Sequence, residues 1–149
     1  MKAAALIPCF NEGQTIGIVV SQMRRHVERV IVVDDGSTDQ TNAEASAAGA
    51  VVLRHGRNFG KGAALKTGLS YLHRLGYEWA FTLDGDGQHD PADAPALRQC
   101  ARETPALLVV GNRMGHAGAM PGIRRRVNAW MSDKLSQYAG CTLPDTQCG

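Results

Sequence analysis

Short apolar runs alternate along the chain with stretches in which apolar residues recur every three or four positions. Residues 3–7 form the first run, predicted as a strand stopping at Pro8, whose nitrogen has no hydrogen to give a ladder. Over 15–27, Ile16, Val19, Val20, Met23 and Val27 keep helical spacing and predict an amphipathic helix. The β-branched run Val30-Ile31-Val32-Val33 predicts a second strand ending at Asp34-Asp35-Gly36, and Asp39 stands where it could cap a helix over 40–48. A third strand is predicted over 50–53, a long helix over 62–75, and a fourth strand over 79–83 that runs into Asp84-Gly85-Asp86-Gly87. Asp90 before Pro91 has the N-cap pattern of a helix over 91–102. A fifth strand over 107–110, a loop over 115–122 and a final helix over 123–138 complete the series.

Strands that alternate with helices and are apolar almost throughout belong in a parallel sheet covered on both faces, an α/β fold. With 149 residues, no internal repeat and no low-complexity tract, one domain is expected over 1–149. Gly is frequent, at 17 residues, which suits many tight turns.

Charge changes the picture by its distribution. The net +2 is too small to argue for nucleic acid, and no nucleic-acid partner is expected. From Arg113 onward, however, five basic residues (Arg113, Arg124, Arg125, Arg126, Lys134) face two acids, Asp133 and Asp145. A basic end beside an acidic first part suits a phosphate-bearing partner, and also fits a solvated basic helix face. No run reaches the roughly 18 apolar residues that cross a bilayer, and residues 1–8 are too short an apolar stretch for a signal peptide. A cytoplasmic location is therefore expected. Cys9, Cys100, Cys141 and Cys148 form no CxxC pair and no zinc spacing, and are expected as free thiols.

Polar clusters follow three of the predicted strands, at residues 8–12, 34–39 and 84–88. In open α/β sheets that edge binds ligands. Asp84-Gly85-Asp86 places two carboxylates around one Gly directly after a buried strand, where both can converge on one cation. Hard ions such as Mg²⁺ or Mn²⁺ take oxygen ligands and share them with substrate phosphates. Taken alone, the same three residues also fit a polar turn with two solvated acids. Asp35 could accept hydrogen bonds from a base or a ribose, while Asp39 reads as a cap. Asn58-Phe59-Gly60-Lys61-Gly62 is not a Walker loop, because His55 stands where its first Gly is required and Gly62 where Ser or Thr is required. Lys61 remains a candidate for neutralising phosphate. No nucleophile–base pair stands out among the five His, although His89 follows the acidic cluster closely enough to approach a metal or substrate.

Together these segments resemble family-2 glycosyltransferases of the GT-A fold, in particular the dolichyl- and polyprenyl-phosphate mannose synthase-like branch. The matching pieces are Ile7-Pro8-Cys9-Phe10-Asn11-Glu12, Val33-Asp34-Asp35-Gly36-Ser37-Thr38-Asp39, residues 58–65, Asp84-Gly85-Asp86-Gly87-Gln88-His89, Gly111-Asn112-Arg113 and Asp145-Thr146-Gln147-Cys148-Gly149. The resemblance implies a nucleotide-sugar-binding part over 1–112 and the start of an acceptor-side part over 113–149. It implies that Pro8, Phe10, Asn11 and Glu12 line the nucleotide site and that Val33 and Asp35 contact the base. Asp84 and Asp86 would hold Mg²⁺ or Mn²⁺ and the diphosphate, with Gly85, Gln88 and Lys61 beside them. Asp86, Arg113 and Asp145 are the expected catalytic residues: Arg113 meets the donor phosphates or the sugar, and Asp145 serves as base or positioning group.

The expected activity is inverting transfer from a UDP- or GDP-sugar to a polyprenyl phosphate. A lipid phosphate is already an oxyanion, so cations that orient two anionic reactants matter more than a strong base. Arg124, Arg125 and Arg126 are candidates for that acceptor phosphate, which implies peripheral contact with the inner face of a membrane; a homodimer is also compatible. The alternatives are transfer to a saccharide or protein acceptor, with Asp145 as base, and a nucleotide-sugar-binding module without turnover. A nucleotidyltransferase is disfavoured, since Pro8-Cys9-Phe10-Asn11-Glu12 stands where that class carries a Gly-rich loop. Relatives continue beyond the position of Gly149 into acceptor-side helices, so donor binding is expected to be more complete here than transfer.

Overall fold

A computed structural model of the chain describes residues 1–105 together with 108, 109, 111, 132, 133 and 137. The chain divides into two compact units, Met1–Ala96 and Leu97–Gly149. The first holds a four-stranded, all-parallel sheet with strand order β3-β2-β1-β4, built from β1 (Ala3–Cys9), β2 (Val30–Asp34), β3 (Val51–Arg54) and β4 (Trp79–Thr82). Helices α1 (Ile16–Met23), α2 (Thr41–Ala47) and α3 (Lys61–Arg74) make the crossovers, and α4 (Ala94–Glu103) spans the boundary between the units.

Strand alternation sorts the core into two layers. Ala5, Ile7 and Cys9 of β1 and Val30 and Val32 of β2 pack with Ile16, Val19, Val20 and Met23 of α1. Ala4, Leu6, Ile31 and Val33 face the other way, toward Ala64 and Leu72 of α3. Each fully buried Val, Ile or Leu contributes about 1.5–3 kcal/mol. Both strands are buried along their whole length, which is why they read as continuous apolar runs rather than as alternating ones.

Several boundaries differ from the sequence expectation for identifiable reasons. The first strand passes through Pro8 to Cys9 instead of stopping at the proline. Ala5 N donates to Arg29 O and Cys9 O accepts from Asp35 N, so odd-numbered residues of β1 direct their backbone groups toward β2. Leu6 O accepts from Leu83 N, so even-numbered residues face β4, which pairs with β1 only as far as Leu6. The missing N–H of Pro8 thus points where no ladder partner stands.

Helix α1 ends at Met23, yet Arg25 and His26 continue with tighter bonds to Gln22 O and Met23 O, and Val27 stays buried at the helical spacing. The helix expected over 91–102 is a 3₁₀ turn at Pro91–Asp93 followed by α4. Pro95 has no N–H to give Pro91 O, which takes a bond from Ala94 N instead. Asp90 caps this start as expected, accepting from Ala92 N at 2.9 Å.

Of the expected fifth strand over 107–110, Leu108 and Val109 are described and are not in a strand, while the loop expected over 115–122 lies outside the described residues. Of the final helix, Ser132, Asp133 and Gln137 are described, and these are helical. Among the described residues, no helix is long and apolar enough to cross a membrane.

Candidate nucleotide-binding cleft

Strand order reverses on either side of β1, with β2 and β3 on one flank and β4 on the other. At the carboxyl ends of these strands lies an open cleft of about 230 Å³, at the position where α/β sheets bind ligands. Pro8, Cys9, Phe10 and Glu12 line it from the end of β1, and Asp35 from β2. Asp84, Gly85 and Asp86 line it after β4, and Asn58, Gly60, Lys61 and Ala64 from the start of α3.

The loop after β1 is stapled to the loop after β2 by three consecutive backbone N–H groups. Asn11 N donates to Ser37 Oγ at 2.9 Å, Glu12 N to Thr41 Oγ1 at 2.8 Å and Gly13 N to Asp39 Oδ2 at 3.0 Å. Asn11 sits at φ 57°, a left-handed conformation that Asn tolerates better than most residues. Its side-chain oxygen accepts from Thr38 N at 2.9 Å. Asp39 also accepts from Thr41 N at 2.9 Å and from the Thr41 hydroxyl, and these bonds hold its carboxyl below the usual range. Helix α2 therefore starts at Thr41, one residue later than expected, with Asp39 serving both its first N–H and the β1 loop.

Asp34 and Asp35 are both buried, and each is spent on the fold. Asp34 Oδ1 accepts from Ser37 N at 2.8 Å. Its Oδ2 has no aligned hydrogen bond, but Arg54 Nε lies 3.3 Å away, so the contact is an ion pair of poor hydrogen-bond geometry. Asp35 is only 3% exposed. Its Oδ1 lies 2.6 Å from His55 Nδ1 and accepts from Phe59 N at 3.0 Å, while Oδ2 accepts from Gly60 N at 2.7 Å. His55 Nε2 lies 3.0 Å from Thr67 Oγ1 on α3. Burial alone would raise the Asp35 carboxyl, but the bonds from His55, Phe59 and Gly60 outweigh it and hold it below the usual carboxylate range.

The turn after β4 is fixed from inside and from below. His89 Nδ1 accepts from Asp84 N at 2.9 Å, which places the ring proton on Nε2, and Asp86 Oδ1 accepts from Gln88 N at 2.9 Å. Thr15 Oγ1 donates to Gly85 O at 2.7 Å. A Cβ on Gly85 would stand 3.1 Å from Cys9 Cβ and 3.4 Å from both Glu12 Cγ and Ile16 Cδ1, so the glycine lets the two carboxylates approach the end of β1. Burial, and then the negative charge of Asp86, push the Glu12 carboxyl up, against an opposing bond from Thr15. Lys61 Nζ lies 2.7 Å from Asp84 Oδ1. Burial and the charges of Asp34 and Glu12 push the Cys9 thiol up to about 12, so it is not a nucleophile at neutral pH.

Of the residues expected from sequence, Pro8, Phe10, Glu12, Asp35, Lys61, Asp84, Gly85 and Asp86 meet at the cleft. Three do not. Val33 is fully buried on the α3 side, so its side chain cannot touch a base there. Asn11 turns its side chain to Thr38, and Gln88 is an exposed residue whose N–H closes the turn on Asp86. Arg113, Arg125 and Asp145 lie outside the described residues. The sequence reading missed His55, whose partners Asp35 and Thr67 stand 20 and 12 positions away, and Cys9 as a cleft wall.

Over residues 4–146 the chain matches glycosyl transferase family 2. It is 30% identical over 165 residues to a UDP-N-acetylglucosamine–dolichyl-phosphate N-acetylglucosaminyltransferase of Methanococcus voltae, covering 97% of this chain and 66% of that protein. It is 31% identical over 156 residues to an undecaprenyl-phosphate mannosyltransferase of Micrococcus luteus, covering 100% of this chain and 61% of the relative. Among solved structures it is similar to a glucosyl-3-phosphoglycerate synthase of Mycobacterium tuberculosis in complex with Mn²⁺, UDP-glucose and phosphoglyceric acid. That match has a TM-score of 0.57 and 28% identity, and covers 67% of this chain and 39% of the other. The parallel sheet with helices on both faces, together with this likeness, makes the fold GT-A. The chain spans under two thirds of the length of these relatives.

Proposed function

The chain belongs to glycosyl transferase family 2, and on that premise we propose that its cleft binds a nucleotide-diphosphate sugar, UDP- or GDP-linked, for transfer with inversion to a polyprenyl phosphate. The observation that carries this reading is the convergence of Glu12, Asp84 and Asp86 with Lys61 on one cleft at the reversal of strand order. The relatives named as undecaprenyl- and dolichyl-phosphate sugar transferases support the acceptor class.

The donor set suits a hard divalent cation. Asp84 and Asp86 offer carboxylate oxygens one residue apart. Burial first, and then the negative charges of Asp86 and Asp84, raise the carboxyl of Glu12 beside them. Among the described residues no three His, Cys, Asp or Glu side chains converge closely enough to enclose a metal. Mg²⁺ in particular takes one or two carboxylates and completes its shell with substrate phosphates and water. When bound at Asp84 and Asp86, Mg²⁺ or Mn²⁺ would neutralise the diphosphate as it leaves. Phe10, 43% exposed at the cleft, offers an apolar face to the base or ribose. Asp35 fixes the backbone of Phe59 and Gly60, and through them the start of α3. Lys61 supplies a positive charge for phosphate.

The residues beyond the described part take their roles from the family resemblance. Arg113 meets the donor phosphates or the sugar, and Arg124, Arg125 and Arg126 attract the acceptor phosphate at a membrane surface. Asp145 is a positioning group or base. Because the nucleophile is a phosphate oxyanion, orientation of the two anionic reactants is the main catalytic demand. Product analysis with a panel of UDP- and GDP-sugars, with and without polyprenyl phosphate, tests the reading. Sugar transfer that depends on polyprenyl phosphate supports it. Donor binding without transfer, in the presence of an intact acceptor-side region, favours a binding module.

A further inference from the structure

We propose that Lys61 is a built-in placeholder for the divalent cation: in the nucleotide-free protein its ammonium neutralises Asp84 and competes with the incoming metal, and it passes to the donor's diphosphate once the metal is seated. This rests on the metal-dependent reading of the cleft. The geometry begins with the 2.7 Å separation of Lys61 Nζ and Asp84 Oδ1. Among the described residues lining the cleft, Lys61 is the one basic residue, against the carboxylates of Glu12, Asp35, Asp84 and Asp86. Asp35 is spent on His55, Phe59 and Gly60, so Lys61 is left to balance Glu12, Asp84 and Asp86. Asp84 therefore cannot give that oxygen to a metal and keep its lysine.

The placement of Lys61 suits an exchange. It is the first residue of α3, following Gly60 at φ 92°, a conformation that favours glycine. The backbone is thereby held by the helix start and by the Gly60 N–H bond to Asp35, while the four-carbon stem above it remains half exposed. A flexible ammonium with three donors can leave one oxygen anion for another without moving the helix. A cation held at Asp84 would repel it, and the donor's diphosphate would attract it. Lys61 thus serves the acid cluster in the empty cleft and the donor in the filled one.

Binding of Mn²⁺ alone to the nucleotide-free 149-residue chain, followed by electron paramagnetic resonance, reads the competition directly. Lys61→Met should bind Mn²⁺ roughly fivefold more tightly than the parent, the scale of one part-exposed ion pair. The gap should narrow as salt is added, because exposed charges are screened over about 8–10 Å at ordinary ionic strength. The same variant should bind UDP or GDP more weakly at saturating Mn²⁺, and Lys61→Arg should stay near the parent in both measurements. If Asp84→Asn weakens Mn²⁺ binding while Lys61→Met leaves it unchanged or weaker, the placeholder role is overturned and the metal site stands. If neither Asp84→Asn nor Asp86→Asn affects Mn²⁺ binding, the metal-dependent reading itself fails and the placeholder role with it.

Discussion

Asp35 and His55 are locked together, with Nδ1 of the imidazole 2.6 Å from Oδ1 of the buried carboxylate, and His55 in turn reaches Thr67 on α3. The pair ties the end of β2 to the helix that carries Lys61. A carboxylate offers about four acceptor positions, and here three N–H groups occupy it: His55, Gly60, and Phe59, whose N–H is shared between both oxygens. A base that bonded to Asp35 would have to share it with the 59–60 backbone, and nucleotide binding would then be coupled to the placement of α3.

Asp35→Asn should therefore weaken UDP or GDP binding by on the order of 1–3 kcal/mol, the cost of leaving buried hydrogen-bonding groups unpaired, and lower the melting temperature as well. The folded-state carboxyl lies below its usual range. Its stabilisation is complete above the unfolded value of about 3.9 and is lost as pH falls through the lower folded value. Melting of the parent should consequently fall more steeply than that of Asp35→Asn as pH drops below about 4. Parallel curves would show that the Asp35 bonds are not worth what the geometry implies.

Asp39→Ala should behave differently. Its carboxylate joins Gly13 N to the first turn of α2 and lies outside the cleft lining. Thermal melting should drop while nucleotide affinity, measured by calorimetry, stays near the parent. A large loss of affinity with unchanged melting would reverse the roles assigned to Asp35 and Asp39.

Glu12→Gln should stabilise the metal-free protein at neutral pH, because burial and Asp86 raise the carboxyl of Glu12 in the fold. A raised carboxyl contributes stability below its unfolded value of about 4.3 and loses it as pH rises through the folded value. The melting-temperature gap between variant and parent should widen from about pH 4 to 7 and shrink when Mn²⁺ is added. A gap independent of pH would contradict the charge crowding.

Gly85→Ala places a methyl 3.1 Å from Cys9 Cβ, and overpacking of that kind costs roughly 1–3 kcal/mol. Urea unfolding should register the loss, and UDP or GDP affinity should fall with it because Asp84 and Asp86 flank the displaced backbone. An alanine variant as stable as the parent would mean that the turn tolerates a side chain and that its glycine is not needed for close approach.

The parts of this molecule that are legible in sequence are those whose causes are local. Strands and helices of the first unit show as apolar runs and three-to-four spacing, and Asp84 and Asp86 stand together in one turn. Pro8 misleads because its effect depends on where β4 stops pairing, a property of a segment more than 70 residues away. Pro95 could have been read: a proline four residues after Pro91 removes the bond that an α-helix would need there. The family resemblance that places Val33 at the base says nothing of its side chain, which the buried strand turns toward α3, and such a strand leaves no alternation from which that direction could be read. The Asp35–His55–Thr67 chain has no sequence signature, since it forms only when β3 pairs with β2 and α3 packs beneath them.

If Asp84 and Asp86 hold a divalent cation that serves a nucleoside diphosphate, as proposed, nucleotide affinity should depend on the metal and on these two carboxylates. Calorimetric titration of UDP and GDP into the chain, in EDTA and in saturating Mn²⁺ or Mg²⁺, tests it most directly when repeated on Asp86→Asn. At least one nucleotide should bind more tightly with metal present, and most of that increment should be lost in the variant. Equal nucleotide affinity in EDTA and in metal, or an increment that survives Asp86→Asn, would contradict it.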